Sequence, residues 1–496
     1  MCTKADDVEF LSAKNGQMTC RIKNIFLHSA YNPDNEANNF VNNIECDFNP
    51  SCIIIIEPAL SYCEKFLRKR FKNSKLYAIR FSNSFKESDL NWDKVLYFSE
   101  NDFSSFLYST LAEEQLLSSL ILNWTGSKNA FPIKNEQVWI QIKKAMLLAR
   151  DVLNTRNYFS KRWFTNSINF LKYIKNISIP EKINKDILIT ASGPSLKNSI
   201  NFIKENREKF FLICLSSSLS VLIFHKIKPD VVLSTDGGYW AKKHLEIAAN
   251  YPDFLKKTIF ALTDESNVSK TILKNFNILP LCYKNSIGET LFKKMNIPFL
   301  YAQRNGTVSG TAAILAYSLT NKNIYFCGLD LCSSKGFNHT MPNCLAKINQ
   351  AKENKINSRE KAVTFSRFNG EGSLEIYRNW FKNLKPDVSK RIKRISNNYK
   401  YEYDIKPIQD LSWDEIDLSP EKAETKISTD IINLDKNMIK SLVHKLILSD
   451  TFNSEIFPLE SLLIFREIDS SKRKELEEKI KAKKDELTIK IEHLLT

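Results

Sequence analysis

Short apolar, β-branched runs alternate along the first two thirds of the chain with stretches whose apolar positions recur at helical spacing. Cys52-Ile-Ile-Ile-Ile56 is the first compact run; after Glu57-Pro58, Leu60, Cys63, Phe66 and Leu67 follow at helical intervals, and residues 75–81 and 94–98 repeat the strand pattern. Strand, helix, strand predicts a parallel sheet. Between Asn135 and Ile177 the apolar residues, among them Val138, Ile142, Met146, Phe164, Ile168 and Leu171, mark a helical connector that Ile179-Pro180 ends. Residues 187–190, 210–215, 229–235, 258–262, 277–281 and 323–327 then read as buried strands, and 312–319 as an apolar helix. Beyond Cys344 the pattern becomes helical and charged: 373–381 is amphipathic, 431–448 and 476–495 read as longer helices, and the last has near-heptad spacing that suits packing on its own domain. The expected fold class is α/β, with an N-terminal α/β domain (1–134), a helical connector (135–185), a central parallel-sheet domain (186–345) and a C-terminal helical domain (346–496).

Glycine usage singles out the central domain. Of 12 glycines in 496 residues, eight lie between Gly193 and Gly336. Where glycine is scarce, the positions that keep it need positive φ or a closely approached backbone. Ser192-Gly193-Pro194-Ser195 ends the run 187–190, and Leu196, Ile200 and Ile203 continue at helical spacing with Ser195 as the expected N-cap. A strand, a glycine turn and a helix start expose backbone N–H groups to an anion, usually a phosphate; the same turn also serves as an ordinary βα connection. Thr307-Val-Ser309-Gly310 before the apolar helix repeats the arrangement, and Ser216-Ser-Ser218, Asp236-Gly-Gly238 and Gly328-Leu-Asp330 each stand just past a strand, where open α/β sheets bind ligands. The N-terminal unit has Glu57-Pro58 at the equivalent place, a poor dinucleotide site, and reads as a docking or scaffolding domain.

The formal net charge of +16 favours anionic partners, yet lysine is abundant throughout and no arginine-rich stripe or RNA-binding aromatic signature appears, which argues against nucleic acid. Ten scattered cysteines, several inside apolar runs, fit reduced buried thiols. Cys327, Cys332, His339 and Cys344 match no familiar zinc spacing, so no metal site is expected. The start MCTKADDVEF has no secretory apolar core, and serines 216, 217, 218 and 220 break the longest apolar run, so a cytoplasmic protein without a transmembrane segment is expected.

Asp236 is suited to ribose hydroxyls, to an acceptor or to a divalent ion, and equally to capping its own turn. His339 follows the last strand in a loop expected to overhang the same sheet edge, where imidazole is the usual general base for a hydroxyl nucleophile. In these residues the chain resembles the bacterial motility accessory factor (Maf) proteins, flagellin glycosyltransferases that carry the domain of unknown function 115. The likeness lies in the strand leading to Gly193-Pro-Ser-Leu196, Pro229-Asp-x-x-x-Ser-x-Asp236, Ser309-Gly-Thr-Ala-Ala313, Tyr325-x-x-Gly-x-Asp330 and His339, and covers roughly residues 186–342. The layout is also similar to bacterial sialyltransferases that use CMP-sialic acid. Their first Asn is Ser192 here and their second falls near Ser217; serine keeps hydrogen-bonding capacity but reads a base or ribose differently.

The resemblance implies a GT-A/Rossmann-like central domain that transfers a nonulosonic acid, such as pseudaminic or legionaminic acid, from its CMP-sugar to Ser/Thr of flagellin. It implies inversion at the anomeric carbon with His339 and Asp236 as catalytic residues. Ser192, Gly193, Pro194, Ser195, Ser217, Thr307, Ser309, Gly310, Gly328 and Asp330 would hold the nucleotide; no cofactor is required, though Mg²⁺ is compatible. An archaeal pterin pyrophosphokinase resembles the same central domain, and in that reading Asp236 and Asp330 carry Mg²⁺ between ATP phosphates. A third possibility is a non-catalytic flagellin-binding accessory protein. His225 and His244, in helical segments, are expected to be dispensable.

Overall fold

In the computed structural model, residues 8–99, 103–332, 339–358, 360–361, 373–396, 399–416 and 426–496 are described. The start of the chain through Asp7 and the Gly336-Phe-Asn338 stretch before His339 lie outside them. The chain forms two compact units: residues 1–160 with 449–486, and 161–448 with 487–496.

The first unit has an antiparallel ribbon of β1 (Val8–Ser12), β2 (Met18–Ile22) and β3 (Ile25–Phe26). Beside it in sequence come β4 (Cys52–Ile56), β5 (Lys75–Arg80), β6 (Lys94–Tyr97) and β7 (Ser119–Asn123), a parallel sheet in the order β6-β5-β4-β7. Both faces of β4 are covered, which is why its sequence is uniformly apolar. Ile54 and Ile56 join the core formed with Phe103, Leu107, Val138 and Ile142, while Ile53 and Ile55 face Ala37, Val41, Leu67 and Trp124. Residues 449–486 return to this unit: Asn49 N–H donates to Arg466 O (2.9 Å), Arg466 Nη1 to Leu117 O (3.0 Å) and Ser160 Oγ to Ile456 O (2.7 Å).

The strand order reverses at β4, so its C-terminal end is where a ligand crevice would open. Glu57, Ala59 and Ser61 have φ of 45°, 46° and 62° there, an unusual run for residues other than glycine. The fully buried Arg80 guanidinium holds this loop, donating to Glu57 Oε1 (2.9 Å), Ala59 O (2.8 Å), Ser61 Oγ (2.8 Å) and Asp89 Oδ1 (2.8 Å). The chain's own cation thus fills the strand ends.

The second unit is built on β8 (Asn176–Pro180), β9 (Ile187–Thr190), β10 (Phe211–Leu215), β11 (Val231–Ser234), β12 (Ile259–Thr263), β13 (Asn277–Tyr283), β14 (Leu300–Ala302), β15 (Ile324–Cys327), β16 (Ile392–Ile395), β17 (Gln409–Leu411) and β18 (Ile427–Ile431). The sheet runs β17-β16-β15-β9-β10-β11-β12-β13-β8-β18, with β14 also on β13, and all pairs are parallel except β8 with β18. Helix Val308–Leu319 packs on the face made by Ile187, Ile189, Ile213 and Leu233, through Ala312, Ala313, Leu315, Ala316 and Leu319. It is apolar nearly all round because it is buried nearly all round.

The α/β class, the parallel strands and a C-terminal helical region agree with the sequence reading, and the C-terminal third also supplies strands. β16, β17 and β18 belong to the large sheet, and the rest of the segment divides between the two units. The expected connector is a helix, Pro132–Tyr173, but the Ile177–Pro180 end of that stretch is strand β8. Among the described residues no helix is long and apolar enough to cross a membrane.

Candidate active site

From β9 the chain builds outward through β10, β11, β12 and β13 on one side, then returns to place β15, β16 and β17 on the other. The order therefore reverses between β9 and β15, and the crevice beyond their C-terminal ends is the natural ligand position. Gly193, after β9, donates its N–H to Gly328 O after β15 at 2.9 Å. Gly328 has φ +72° and a Cβ there would lie 2.5 Å from Ala191 O; a Cβ on Gly193 would lie 2.5 Å from Gly328 O. Both glycines are required by the approach of one turn to the other.

Asp330 settles the environment of Ser195. Its Oδ2 accepts the Ser195 N–H at 2.8 Å, its Oδ1 accepts the Ser195 hydroxyl, and the side chain is fully buried. Burial pushes its pKa up, while the Ser195 bonds and the Arg394 guanidinium oppose the shift. Arg394 is itself buried, paired with Asp410 (2.6 and 2.8 Å) and stacked 3.6 Å from the Tyr401 ring centroid. Asp330 thus takes the N–H and hydroxyl of Ser195, so the two residues expected to hold the nucleotide are bonded to each other in this arrangement. Ser195 is not an N-cap: Pro194–Ser199 is a 3₁₀ turn capped at Gly193, and only Ile200–Glu205 is α-helical.

His339 lies against the β9 turn. Its Nδ1 is 2.8 Å from Ser192 Oγ, a partner 147 positions away in sequence. The following residues form a strap over the strand ends: Thr340 donates its N–H to Ser192 O (2.7 Å) and its hydroxyl to Gly193 O (2.5 Å), and Asn343 Nδ2 donates to Ser217 O (3.1 Å). Cys344 Sγ then reaches His244 Nδ1 at 3.2 Å. Ser192, Gly193, Ser217, Gly328, Asp330 and His339 are thus brought together, with Ser192 engaged by the imidazole. Asp236 sits three strands from β15, exposed, and accepts the Gly238 N–H at 2.8 Å, so it caps its own turn.

The second glycine turn is more open. Gly306 has φ +76°, Thr307 begins helix Val308–Leu319 without a side-chain capping bond, and a Cβ on Gly310 would lie 2.8 Å from Asn305 Nδ2. Ser309 is buried and Thr307 half-buried at this helix start. The Thr307 N–H donates to Asn305 Oδ1 at 3.3 Å; the helix-start N–H groups that follow, and the helix dipole, favour an anion there.

Sequence reasoning missed Thr340, Asn343, His244 and Asp264. The last was detectable, since Asp264-Glu265 follows a strand as Asp236 does. Asp264 is fully buried at the end of β12, accepts the Ser167 hydroxyl at 2.6 Å and stands against Gly288, where a Cβ would come within 2.2 Å of Oδ2; its Oδ1 has no hydrogen-bond partner. Burial pushes its pKa up to about 6, against the pull of Ser167 and Arg304. Arg304 pairs with Glu265 (2.5 Å) over the Tyr283 ring. Among the described residues no cluster of His, Cys, Asp and Glu is placed to hold a metal ion.

Residues 159–336 match the family model described as 6-hydroxymethylpterin diphosphokinase MptE-like. An uncharacterized protein of Treponema pallidum (strain Nichols) is 26% identical over 300 residues, covering 60% of this chain and 64% of its own length. A second protein from the same organism is 25% identical over 193 residues, 37% of this chain and 32% of that protein. The chain therefore spans less than two thirds of these relatives. Among solved structures, the MAf glycosyltransferase from Magnetospirillum magneticum AMB-1 aligns with TM-score 0.47 and 11% identity, over 67% of this chain and 61% of that one.

Proposed function

We propose that the chain is a cytoplasmic glycosyltransferase that moves a nonulosonic acid from a CMP-sugar onto Ser/Thr of flagellin. The observation that carries the reading is the Ser192–His339 pair at the reversal of strand order, strapped down by Thr340. If His339 Nδ1–H donates to Ser192 Oγ, Nε2 is left as the basic nitrogen, the one that takes the proton from the acceptor hydroxyl as it attacks the anomeric carbon. The C–O bond to the nucleotide breaks on the opposite face, and CMP departs with the electron pair. The helix start at Thr307–Gly310 is the better candidate to stabilise that phosphate, since Ser195 is occupied by Asp330. The first unit and the C-terminal helices would recognise the protein acceptor.

The family match favours a second reading, a pterin-type diphosphokinase. That chemistry calls for Mg²⁺ held by Asp236 and Asp330, and the residues do not fit it. Asp330 is engaged by Ser195, Asp236 caps its own turn three places away in the strand order, and among the described residues no acidic cluster gathers them.

The test incubates the full chain with flagellin and CMP-pseudaminic acid, read by intact mass, with a parallel arm of ATP, Mg²⁺ and 6-hydroxymethylpterin. His339→Ala should lower sugar transfer by about 10²–10⁴-fold and leave CMP affinity nearly unchanged. Transfer by His339→Ala at the wild-type rate refutes the base assignment. Pterin diphosphate formation selects the second reading, and flagellin binding without either product selects a non-catalytic accessory role.

A further inference from the structure

From its helical position alone His244 reads as dispensable, yet the structure places it beside His339. It lies in helix Tyr239–Glu246, 8% exposed, and meets the His339 ring edge to face with centroids 6.4 Å apart. Its Nδ1 is 3.2 Å from Cys344 Sγ at the far end of the strap that starts at His339. Asp236, at the head of the same helix, is the charged group acting on it; Lys243 and Glu246 pair with each other at 2.8 Å. Burial pushes the Cys344 thiol up and the His244 imidazole down, so the thiol keeps its proton to donate and the neutral ring accepts.

We propose that His244 is a positioning residue: by clipping Cys344 it fixes the strap 339–344 so that His339 keeps Nδ1 on Ser192 and presents Nε2 to the acceptor. The proposal rests on the reading of His339 as the acceptor base. The strap has an anchor on the β9 turn at Thr340, one on the β10 turn at Asn343 and one on a helix at Cys344. The first two hold the strap to backbone oxygens of the turns that follow β9 and β10. The third ties the strap to helix Tyr239–Glu246, which follows the Asp236 turn, and it reinforces the contact of the His339 ring with His244 on that helix.

The experiment uses the full chain with CMP-pseudaminic acid and flagellin, comparing His244→Phe, Cys344→Ala, the double variant and His244→Asn. Asparagine keeps an acceptor near the place of Nδ1; phenylalanine keeps a ring and removes the acceptor. His244→Phe and Cys344→Ala should each lower kcat by about 10–100-fold through misplacement of His339, with KM for the donor within about threefold. The double variant should be no worse than either single one, and His244→Asn should recover most of the rate. Multiplied defects in the double variant, wild-type rates in the singles, or no recovery with asparagine overturn the clip. A parallel spectrum of ¹⁵N-histidine-labelled protein follows the His339 imidazole nitrogens directly. If the wild type transfers no sugar, the base assignment fails, and this spectrum alone decides the clip. Loss of the Ser192-bonded Nδ1 state in Cys344→Ala but not in His244→Asn supports it, and its retention in both overturns it.

Discussion

Asp264→Asn isolates the electrostatic cost of one buried carboxyl. Asp264 is 1% exposed and its folded pKa is pushed from 3.8 up to about 6. The shift of roughly two units corresponds to about 3 kcal/mol, at 1.36 kcal/mol per unit, spent on holding the ionised form at neutral pH. The folded state binds this proton more tightly than the unfolded chain does. The stabilisation linked to it is therefore fully present below the unfolded pKa of 3.8 and is lost as pH rises through about 6. At pH 5 the folded carboxyl is about 90% protonated and the unfolded one about 6%, which amounts to about 1.4 kcal/mol relative to pH 8. Asparagine keeps the acceptor for Ser167 and does not titrate. Between pH 8 and pH 5 the Tm of the wild type should accordingly rise relative to Asp264→Asn by about 2 °C, from roughly 1.6 °C per kcal/mol in a unit of this size. Differential scanning calorimetry at one-unit pH steps measures it, following the transition of the second unit. A Tm difference between the two proteins that does not change with pH would show that Asp264 titrates at its ordinary value, and the argument from burial would fail.

Other substitutions probe the two strand-order reversals. Arg80→Met leaves Glu57 buried without its cation and should destabilise the first unit by about 3–5 kcal/mol; calorimetry should show part of the loss recovered when Glu57→Gln is added. Gly193→Ala forces a Cβ to within 2.5 Å of a backbone oxygen, and denaturant unfolding should register a loss of roughly 1–3 kcal/mol in the second unit. Ser192→Ala should reduce sugar transfer by about two- to tenfold, the worth of one hydrogen bond, without changing CMP affinity by calorimetry; a fall in affinity instead would make Ser192 a nucleotide contact.

The central strands were legible because parallel strands covered on both faces are continuous apolar runs, as in Cys52–Ile56 and Ile187–Thr190. Edge strands carry no such signal. Every residue of Ile427–Ile431 is exposed, and the inner strand Ile392–Ile395 contains Arg394, held inside by Asp410 sixteen positions away and by the Tyr401 ring. Asn176–Pro180 was hidden because its isoleucines continue the rhythm of the preceding helix. In the site, the strand-end rule located Ser192, Asp236, Gly328 and Asp330 but not their partners. That Asp330 would close on Ser195, and Ser192 on His339, depends on β15 lying next to β9, which no local pattern encodes.

The interleaving of the two units sets a timetable for synthesis. The first unit draws helices from residues 449–486, and the second takes residues 487–496. At about 5–20 residues per second, a ribosome needs roughly 15–60 s to travel from residue 160 to residue 449. Through that interval the N-terminal sheet has been made but its closing helices have not. The first unit is therefore completed only after most of the second has been synthesised. The same order bears on dissection: removing everything after Asp387 deletes β16, β17 and β18 from the second unit and the returning helices from the first, so a cell expressing such a fragment would be handling two unfinished proteins.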